Sequence, residues 1–383
     1  MERCLHPRTV GRTPGSCTGP LVRVVDQPRR GAAGRDRHAQ RVLDTRTRLR
    51  ARTRVSYQEH IDRYLNPHLG GALMEELTPA LVQQAFDQIS GHTTSRGRPV
   101  SAATVQRVRA TLRAALNTAV RERLLFSNPA NGLHLEAGQS ARPVVWTEQA
   151  VEEWRHTGVR PAVAVWTLDQ TRAFLDFVSE ERLYGLFHLV TMCGLRRGEV
   201  LGLRWPDIDL EQGVVRVVRQ LQAHRGRGLV ESAPKSAASR RTVMLDHATV
   251  GVLRRHRWRQ QKEAEGRGRE WDRGGYVFTA VGGGPLAPER LSRLFRKLNT
   301  ASGLPPVRLH DLRHGAATLA LAAGVELKVV QAMLGHASIV LTADTYSTVL
   351  PQVAREAAER TASLVLKDAG RVRRPVRGRR GRR

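Results

Sequence analysis

Apolar residues recur every three to four positions from about residue 52 onward, a spacing that predicts amphipathic helices. Three of them share one helical face: Tyr57, Ile61 and Leu65. Thr78 followed by Pro79 indicates a helix start, with a hydroxyl cap and proline at the first helical position. Ser101 caps a longer apolar run, which the Ser-Asn-Pro sequence at 127–129 ends. Residues 52–135 are therefore predicted to form a small all-helical domain.

Residues 169–366 combine both periodicities and are predicted to form a second domain. Short β-branched segments indicate strands at 214–222, 240–245 and 276–279. Helical spacing indicates five helices, at 168–180, 288–300, 311–323, 327–334 and 343–350. The fold class expected for the whole chain is mainly α with a small antiparallel β-sheet (α+β).

Three segments lack a sustained period. Residues 1–51 are rich in Arg, Gly and Pro, which favours a disordered or degenerate basic N-terminal segment. Residues 136–168 are interpreted as a linker with one short helix from Thr147 to His156. Residues 367–383 form a basic tail, in which positions 371–383 hold eight arginines and no acid.

Composition adds a polyanionic partner to this picture. The chain has 383 residues and a formal net charge of +28. Only five of its 63 basic residues are lysine, which leaves 58 arginines. Phosphate binding by such a chain releases counterions, so nucleic acid is the natural ligand. The alternative is an arginine-rich coding bias with solvated basic tails.

Other compositional features exclude classes of protein. Hydrophobic content of 40% is a globular value. No apolar run approaches 18 residues, and the N-terminal residues lack a basic region followed by an apolar one, so neither a membrane span nor a secretory signal is expected. Three scattered cysteines (Cys4, Cys17 and Cys193) fit neither a disulfide framework nor a zinc site. A reducing, cytoplasmic location is predicted.

The candidate chemistry lies in the second domain. His310 and Arg313 are three residues apart and share a helical face. The chain contains five His-x-x-Arg pairs, but only this one lies on an apolar helix and leads into Leu334-Gly335-His336. Arg196 and Glu199 form a second i, i+3 pair. The remaining candidates are Lys235, in a turn between strands, and Tyr346.

This set contains cations, histidines and a phenol but no cluster of three carboxylates. Magnesium sites for two-metal nuclease chemistry need acidic ligands, so that mechanism is not expected. The set suits phosphoryl transfer, and we expect neither a metal nor a cofactor.

The ordered set of Gly194-Leu195-Arg196, Glu199, His310-x-x-Arg313, Leu334-Gly335-His336 and Tyr346 closely resembles the tyrosine recombinase (phage integrase) family. The spacing matches across about residues 170–360. Residues 52–135, with Asn128-Pro129-Ala130 near their end, resemble that family's core-type DNA-binding domain. The resemblance implies a catalytic integrase domain at 169–366.

The resemblance also implies a role for each candidate. Tyr346 is the expected nucleophile, and Arg196 and Arg313 are expected to clamp the phosphate. Lys235 is expected to protonate the leaving 5′-oxygen, which arginine is too basic to do. His310 is expected to act in proton transfer or to hydrogen-bond the phosphate, and His336 to donate a further hydrogen bond. Glu199 is expected to orient Arg196, the alternative being a plain surface residue.

The implied function is site-specific DNA recombination for a phage or other mobile element, through a 3′-phosphotyrosyl intermediate. The expected partners are double-stranded DNA at attachment or core sites, a directionality factor and a host DNA-bending protein. The protein is expected to be a monomer when free and to form a homotetramer on DNA. The expected location is the cytoplasm, in association with the nucleoid, for a prokaryotic or phage-encoded protein.

Two other functions stay open at this point. One is a catalytically inactive integrase remnant that binds specific DNA, and the other is a type IB-like topoisomerase. Residues 1–51 also remain open between a basic arm, a degenerate module and a misassigned start of translation. Thr348 stands where family members often carry histidine.

Overall fold

The computed structural model describes residues 51–94, 97–136, 143–224, 226–234, 237–336, 355 and 358–363. The chain divides into two compact units, Met1–Gln139 and Ser140–Arg383. Within the described ranges no helix is both long enough and apolar enough to cross a bilayer. The predicted helix at 343–350 lies outside the described residues.

The first unit is helical, as its apolar periodicity predicts. Its elements are α1 (Ala51–His60), a π-helical turn (Ile61–Leu65), α2 (Asn66–Leu69), a 3-10 turn (Met74–Glu76), α3 (Pro79–Gly91) and α4 (Ala102–Arg121). Both predicted caps are present, because Thr78 accepts from the Leu81 amide at 3.2 Å and Ser101 from the Thr104 amide at 3.3 Å. Such caps satisfy amides that have no partner inside the helix.

The core of this unit is built from the inward faces of these helices. Its buried side chains include Ile61, Leu65, Val82, Phe86, Ile89, Val105, Val108, Leu112 and Leu116. Burial of each large apolar side chain contributes roughly 1.5 to 3 kcal/mol before the entropy of ordering is subtracted. Asn128 anchors the closing turn, since its side chain bonds Asn117, the Arg113 carbonyl and the Ala130 amide.

In its described residues, the second unit is mainly helical and carries three small sheets. Its helices are α5 (Glu148–Thr157), α6 (Leu168–Phe177), α7 (Tyr184–Cys193), α8 (Arg197–Gly202), α9 (His247–Glu265), α10 (Pro288–Ala301), α11 (Asp311–Ala322) and α12 (Leu327–Leu334). The strands are β1 (Val144–Val145), β2 (Ala164–Val165), β3 (Ile208–Asp209), β4 (Val214–Val217), β5 (Gln220–His224), β6 (Gly228–Ser232) and β7 (Arg241–Met244). Strands β3-β4-β7 and β5-β6 pair antiparallel, and β1-β2 pair in parallel. The predicted fold class is confirmed.

Aromatic side chains pack against one another in the core of this unit. Trp166 and Phe174 have ring centroids 4.8 Å apart, and Phe295 lies 5.5 Å from Phe174. The indole N–H groups of Trp146 and Trp166 donate to the carbonyls of Pro306 and Pro305. These bonds hold the segment that leads into α11 against β1 and β2.

The predicted strand at 214–222 is wrong in its continuity. The segment forms two strands, β4 and β5, which belong to different sheets. Arg219, at the break, forms an ion pair with the buried Asp207. Gly202 at the end of α8 packs on β5, where a Cβ would lie 2.9 Å from the Gln220 Cα. The backbone contact and the ion pair therefore separate two strands that share one apolar pattern.

The predicted strand at 276–279 is also wrong. Tyr276 and Thr279 form only isolated bridges, with Arg204 and Pro285. The Val277 carbonyl accepts hydrogen bonds from the side chains of His256 and Gln260. Side chains of α9 thus take the place of a neighbouring strand.

Candidate active site

Arg196 is positioned by a tight turn between α7 and α8. Gly194 ends α7 with φ of +61°, a left-handed conformation that favours glycine. A Cβ at this position would lie 2.6 Å from Leu334 Cδ2, so the turn also requires a small residue. Arg196 then caps the start of α8 in an extended conformation.

Glu199 holds the Arg196 side chain and its backbone together. Arg196 Nη1 donates to Glu199 Oε1 at 2.7 Å, and the Arg196 amide donates to Oε2 at 3.0 Å. The Glu199 side chain is 2% exposed, whereas that of Arg196 is 35% exposed. Burial raises the pKa of Glu199, but hydrogen bonds and charges from Arg241 and Arg196 outweigh it and hold this pKa below its ordinary value. Glu199 is thus a buried carboxylate that orients a partly exposed cation.

Arg313 lies on α11 and joins two distant segments. Only 2% of the Arg313 residue is exposed to solvent. Nη1 donates to the Gly194 carbonyl and Nη2 donates to the Leu334 carbonyl, both at 2.6 Å. Because Arg196 Nη2 donates to the neighbouring Gly335 carbonyl at 3.3 Å, the two guanidinium groups meet at the turn that follows α12.

Three histidines that interact electrostatically with Arg313 have lowered pKa values, which favours the neutral imidazole. Burial and then the charge of Arg313 lower the pKa of His310. Burial, followed by Arg313 and Arg196, lowers the pKa of His336 to about 4. Burial also lowers the pKa of His314 to about 4, and its ring lies 5.4 Å from that of His310. A neutral imidazole has one N–H donor and one acceptor nitrogen, so each can exchange a proton or bond an oxygen.

The sequence-predicted residues fall into two groups. The structure brings Arg196, Glu199, His310, Arg313 and His336 together, as their hydrogen bonds and mutual electrostatic effects show. Lys235 and Tyr346 lie outside the described residues. Lys235 was predicted to lie in a turn between the strands at 214–222 and 240–245. The segment between those strands is more than a turn, because it also contains β6, which ends at Ser232, and a 3-10 turn, Ala237–Ser239.

Sequence reasoning missed Arg241, the first residue of β7. Its side chain is 6% exposed, and the guanidinium donates from Nη2 to Glu199 Oε2 at 2.9 Å and from Nε to the Met333 carbonyl at 2.6 Å. The signal was the alternation of the strand, since Arg241 shares its face with the buried Val243. An arginine on an inward-facing position predicts a buried partner.

The sequence is similar to those of known integrases and recombinases. Residues 165–352 match the phage integrase family. The chain is 28% identical to the tyrosine recombinase XerC-like protein of Caldanaerobacter subterraneus subsp. tengcongensis, over 80% of this chain and 76% of that protein. It is 26% identical to the integrase of Mycobacterium phage L5, over 74% of this chain and 67% of that protein.

Solved structures show the same fold. The Tn1549 transposon integrase in complex with transposon right end DNA superimposes with a TM-score of 0.65 at 20% identity, covering 85% of this chain and 99% of that one. A lambda integrase tetramer bound to a Holliday junction superimposes with a TM-score of 0.54 at 19% identity, covering 82% of this chain and 78% of that one.

The fold and the family match define a DNA strand-transfer enzyme of the integrase class. Residues 165–352 form a domain of the phage integrase family, and the relatives over most of the chain support a tyrosine recombinase, an enzyme of site-specific recombination.

Proposed function

We propose that this recombinase integrates or excises a phage or other mobile element by metal-independent DNA cleavage and rejoining through a 3′-phosphotyrosyl intermediate. The observation that carries the proposal is the meeting of Arg196 and Arg313 at the 334–336 turn, with His310 and His336 beside them. Two cations and two neutral histidines form a site suited to a phosphodiester rather than to a metal.

Cleavage exchanges one phosphodiester bond for another. The Tyr346 oxygen attacks phosphorus, the bond from phosphorus to the 5′-oxygen breaks, and a 3′-phosphotyrosyl bond replaces it. Neutral His310 can accept the phenolic proton, while Lys235 gives a proton to the leaving 5′-oxygen. Arg196 and Arg313 stabilise the charge that accumulates on the non-bridging oxygens, and His336 donates to one of them. Rejoining reverses these steps and needs no nucleotide, since the phosphotyrosyl bond retains the energy of the phosphodiester.

The assignment of domains and partners extends the proposal. Residues 52–135 would bind the core site and residues 169–366 would carry catalysis. The basic segments 1–51 and 367–383 would contact the DNA backbone only or would not contact DNA at all. Homotetramers would form on DNA from free monomers. The lambda integrase tetramer on a Holliday junction supports this assembly. A directionality factor and a host bending protein would act with it in the cytoplasm.

The test begins with a DNA site chosen by the protein itself. The Tyr346→Phe protein is used to select a duplex from a random-sequence library, and this selected duplex is then nicked near its centre to trap cleavage. A covalent protein–DNA adduct with the unmodified protein, absent with Tyr346→Phe, is the expected result.

Other outcomes separate the remaining candidates. Selection of a specific duplex without any adduct would identify the inactive DNA-binding remnant and refute the proposed chemistry. Relaxation of supercoiled plasmid that lacks the selected duplex would identify a topoisomerase instead. An adduct that survives Tyr346→Phe would show that another residue is the nucleophile.

A further inference from the structure

The Arg241 side chain links three segments of the second unit. It donates to Glu199 on α8, to the Met333 carbonyl near the end of α12 and, from Nη1 at 3.2 Å, to the Ser239 carbonyl just before β7. A guanidinium has donors in three directions of one plane, so it can serve these acceptors at once. A lysine ammonium on a flexible stem cannot reproduce that geometry.

Two of these bonds lead directly to Arg196. Glu199 accepts from Arg241 on Oε2 and from Arg196 Nη1 on Oε1, so one carboxylate is held between two guanidinium groups. Met333 lies two residues before Gly335, whose carbonyl accepts from Arg196 Nη2. Arg241 therefore fixes both acceptors that orient the Arg196 side chain, without a bond to Arg196 itself.

The turn after α12 is packed tightly on Arg241. Gly335 has φ of +66°, and a Cβ there would lie 3.0 Å from both Cδ and Nη1 of Arg241 and 2.8 Å from the Ala238 carbonyl. The path of the chain into His336 thus depends on the presence of the Arg241 side chain. Replacement by a shorter or differently shaped side chain leaves this turn without its support.

We propose that Arg241 is a positioning residue for the phosphate clamp, which sets the orientation of Arg196 through Glu199 and through the 333–335 turn. This inference rests on the proposed function, because it assigns a task to Arg196 at the scissile phosphate. It predicts that loss of Arg241 impairs the same step that loss of Arg196 impairs.

A DNA substrate with a neutral substituent on the scissile phosphorus can test whether loss of Arg241 and loss of Arg196 impair the same step. In a methylphosphonate, one non-bridging oxygen is replaced by a methyl group, so less negative charge accumulates in the transition state. An arginine that stabilises this charge then contributes less, and its removal costs less. General damage to the fold reduces cleavage of both substrates by the same factor.

The experiment measures adduct formation by full-length protein on the selected duplex, with a phosphodiester or either methylphosphonate diastereomer at the scissile position. The variants are Arg241→Met, Arg241→Lys and Arg196→Lys. Arg240→Met is the matched control, since Arg240 is the exposed neighbour of Arg241. Thermal unfolding of each variant shows that it is folded, and Arg241→Lys retains a charge beside Glu199 if Arg241→Met does not fold.

The expected result is a shared pattern. Both Arg241 variants should slow phosphodiester cleavage by about 10- to 100-fold, less than the about 100- to 1000-fold expected when a direct donor is removed. On one methylphosphonate diastereomer the loss should shrink to about threefold or less, and that diastereomer should be the same for Arg241 and Arg196. Arg240→Met should match the unmodified protein on all three substrates.

Two contrary results have different meanings. Equal losses on all three substrates for folded Arg241 variants, beside a diastereomer-dependent loss for Arg196→Lys, would overturn this inference alone. Equal losses for Arg196→Lys itself would overturn the proposed clamp and the inference with it.

Discussion

At the scale of single residues, the second unit contains charged side chains that are buried from solvent. Glu199 is buried between the guanidinium groups of Arg196 and Arg241, and Arg313 is buried with its Nη atoms on backbone carbonyls. Buried charges of this kind are costly unless each has its partners. The arrangement therefore serves function more than stability, and removal of one partner should be costly.

Glu199→Gln should lower the free energy of unfolding by about 3 to 5 kcal/mol, because it leaves two partly or fully buried guanidinium groups without their counter-ion. Chemical denaturation measures the change. Glu211→Gln is the matched control, because Glu211 pairs with Arg254 at the surface, where both side chains are more than half exposed. That variant should change stability by less than about 1 kcal/mol. Similar effects of the two substitutions would contradict a special role for the buried carboxylate.

His256 should make the stability of the protein depend on acid pH. Burial lowers its pKa to about 4, against a backbone hydrogen bond to Val277 that raises it. The unfolded chain, with a histidine pKa near 6.5, binds a proton first as pH falls, so stability rises with pH between about 4 and 6.5 and is lost on acidification through that window. The upper limit of this contribution is about 3 kcal/mol.

The measurement compares denaturation of the unmodified protein and His256→Gln at several pH values. Glutamine can still donate a hydrogen bond but cannot take up a proton, so the slope between pH 4 and 6.5 should be smaller in the variant. His247→Gln, at an exposed position one residue into α9, is the control and should keep the slope. An unchanged slope in His256→Gln would disprove the assignment.

At the scale of elements, the site depends on close approach between helix ends. The turn at Gly194 meets Leu334 at the end of α12, and Arg313 of α11 bonds the carbonyls of both residues. Gly202, at the other end of α8, contacts the backbone of β5. Glycine at these points allows backbones to come together, so that short helices can present side chains to one another.

Gly194→Ala should lower the free energy of unfolding by about 2 to 4 kcal/mol. The left-handed conformation accounts for about 1 to 2 kcal/mol, and the clash of the new Cβ with Leu334 accounts for the rest. Adduct formation should fall as well, because the clash displaces the turn that carries Arg196. Gly158→Ala is the control, since Gly158 has φ of +68° with nothing within 4 Å of a Cβ. If both variants lost the same stability, the contact with Leu334 would not matter.

At the scale of the whole molecule, the net charge and the site have different locations. Residues 1–54 contain 14 arginines against four acids, and residues 371–383 contain eight arginines and no acid, so these ends account for +18 of the formal net charge of +28. The proposed chemistry uses cations of the less basic middle. We expect terminal charge to attract DNA of any sequence, and residues 52–135 and 169–366 to choose and cleave a site.

Substitution of glutamine for the eight arginines of 371–383 should weaken DNA binding by the same factor on the selected duplex and on an unrelated duplex. The plot of log affinity against log salt should become shallower, since fewer counterions are released. Fluorescence anisotropy at several salt concentrations measures both effects. A change in sequence preference would mean that the tail reads bases.

Local signals predicted many elements of the fold correctly. The helices that begin at Thr78, Ser101 and Thr167 have a hydroxyl cap and an apolar face, and α12 has the predicted bounds of 327–334. Helix α7 was not predicted, because a helix buried on nearly all sides has no polar face to mark its period. Strands β4 and β5 were merged because one apolar pattern covers both.

The sequence by itself determined which chemical groups are present and in what order: two arginines, a glutamate and two histidines with family spacing, besides Lys235 and Tyr346. Only the tertiary structure decided that Arg313 bonds a carbonyl 119 residues earlier in the chain, and that Arg241 supports Glu199. Periodicity reports which face of an element is buried, but not what it meets. Contacts between distant segments depend on how closely their backbones pack, here at Gly194 and Gly335. Such close packing exists only in the folded chain.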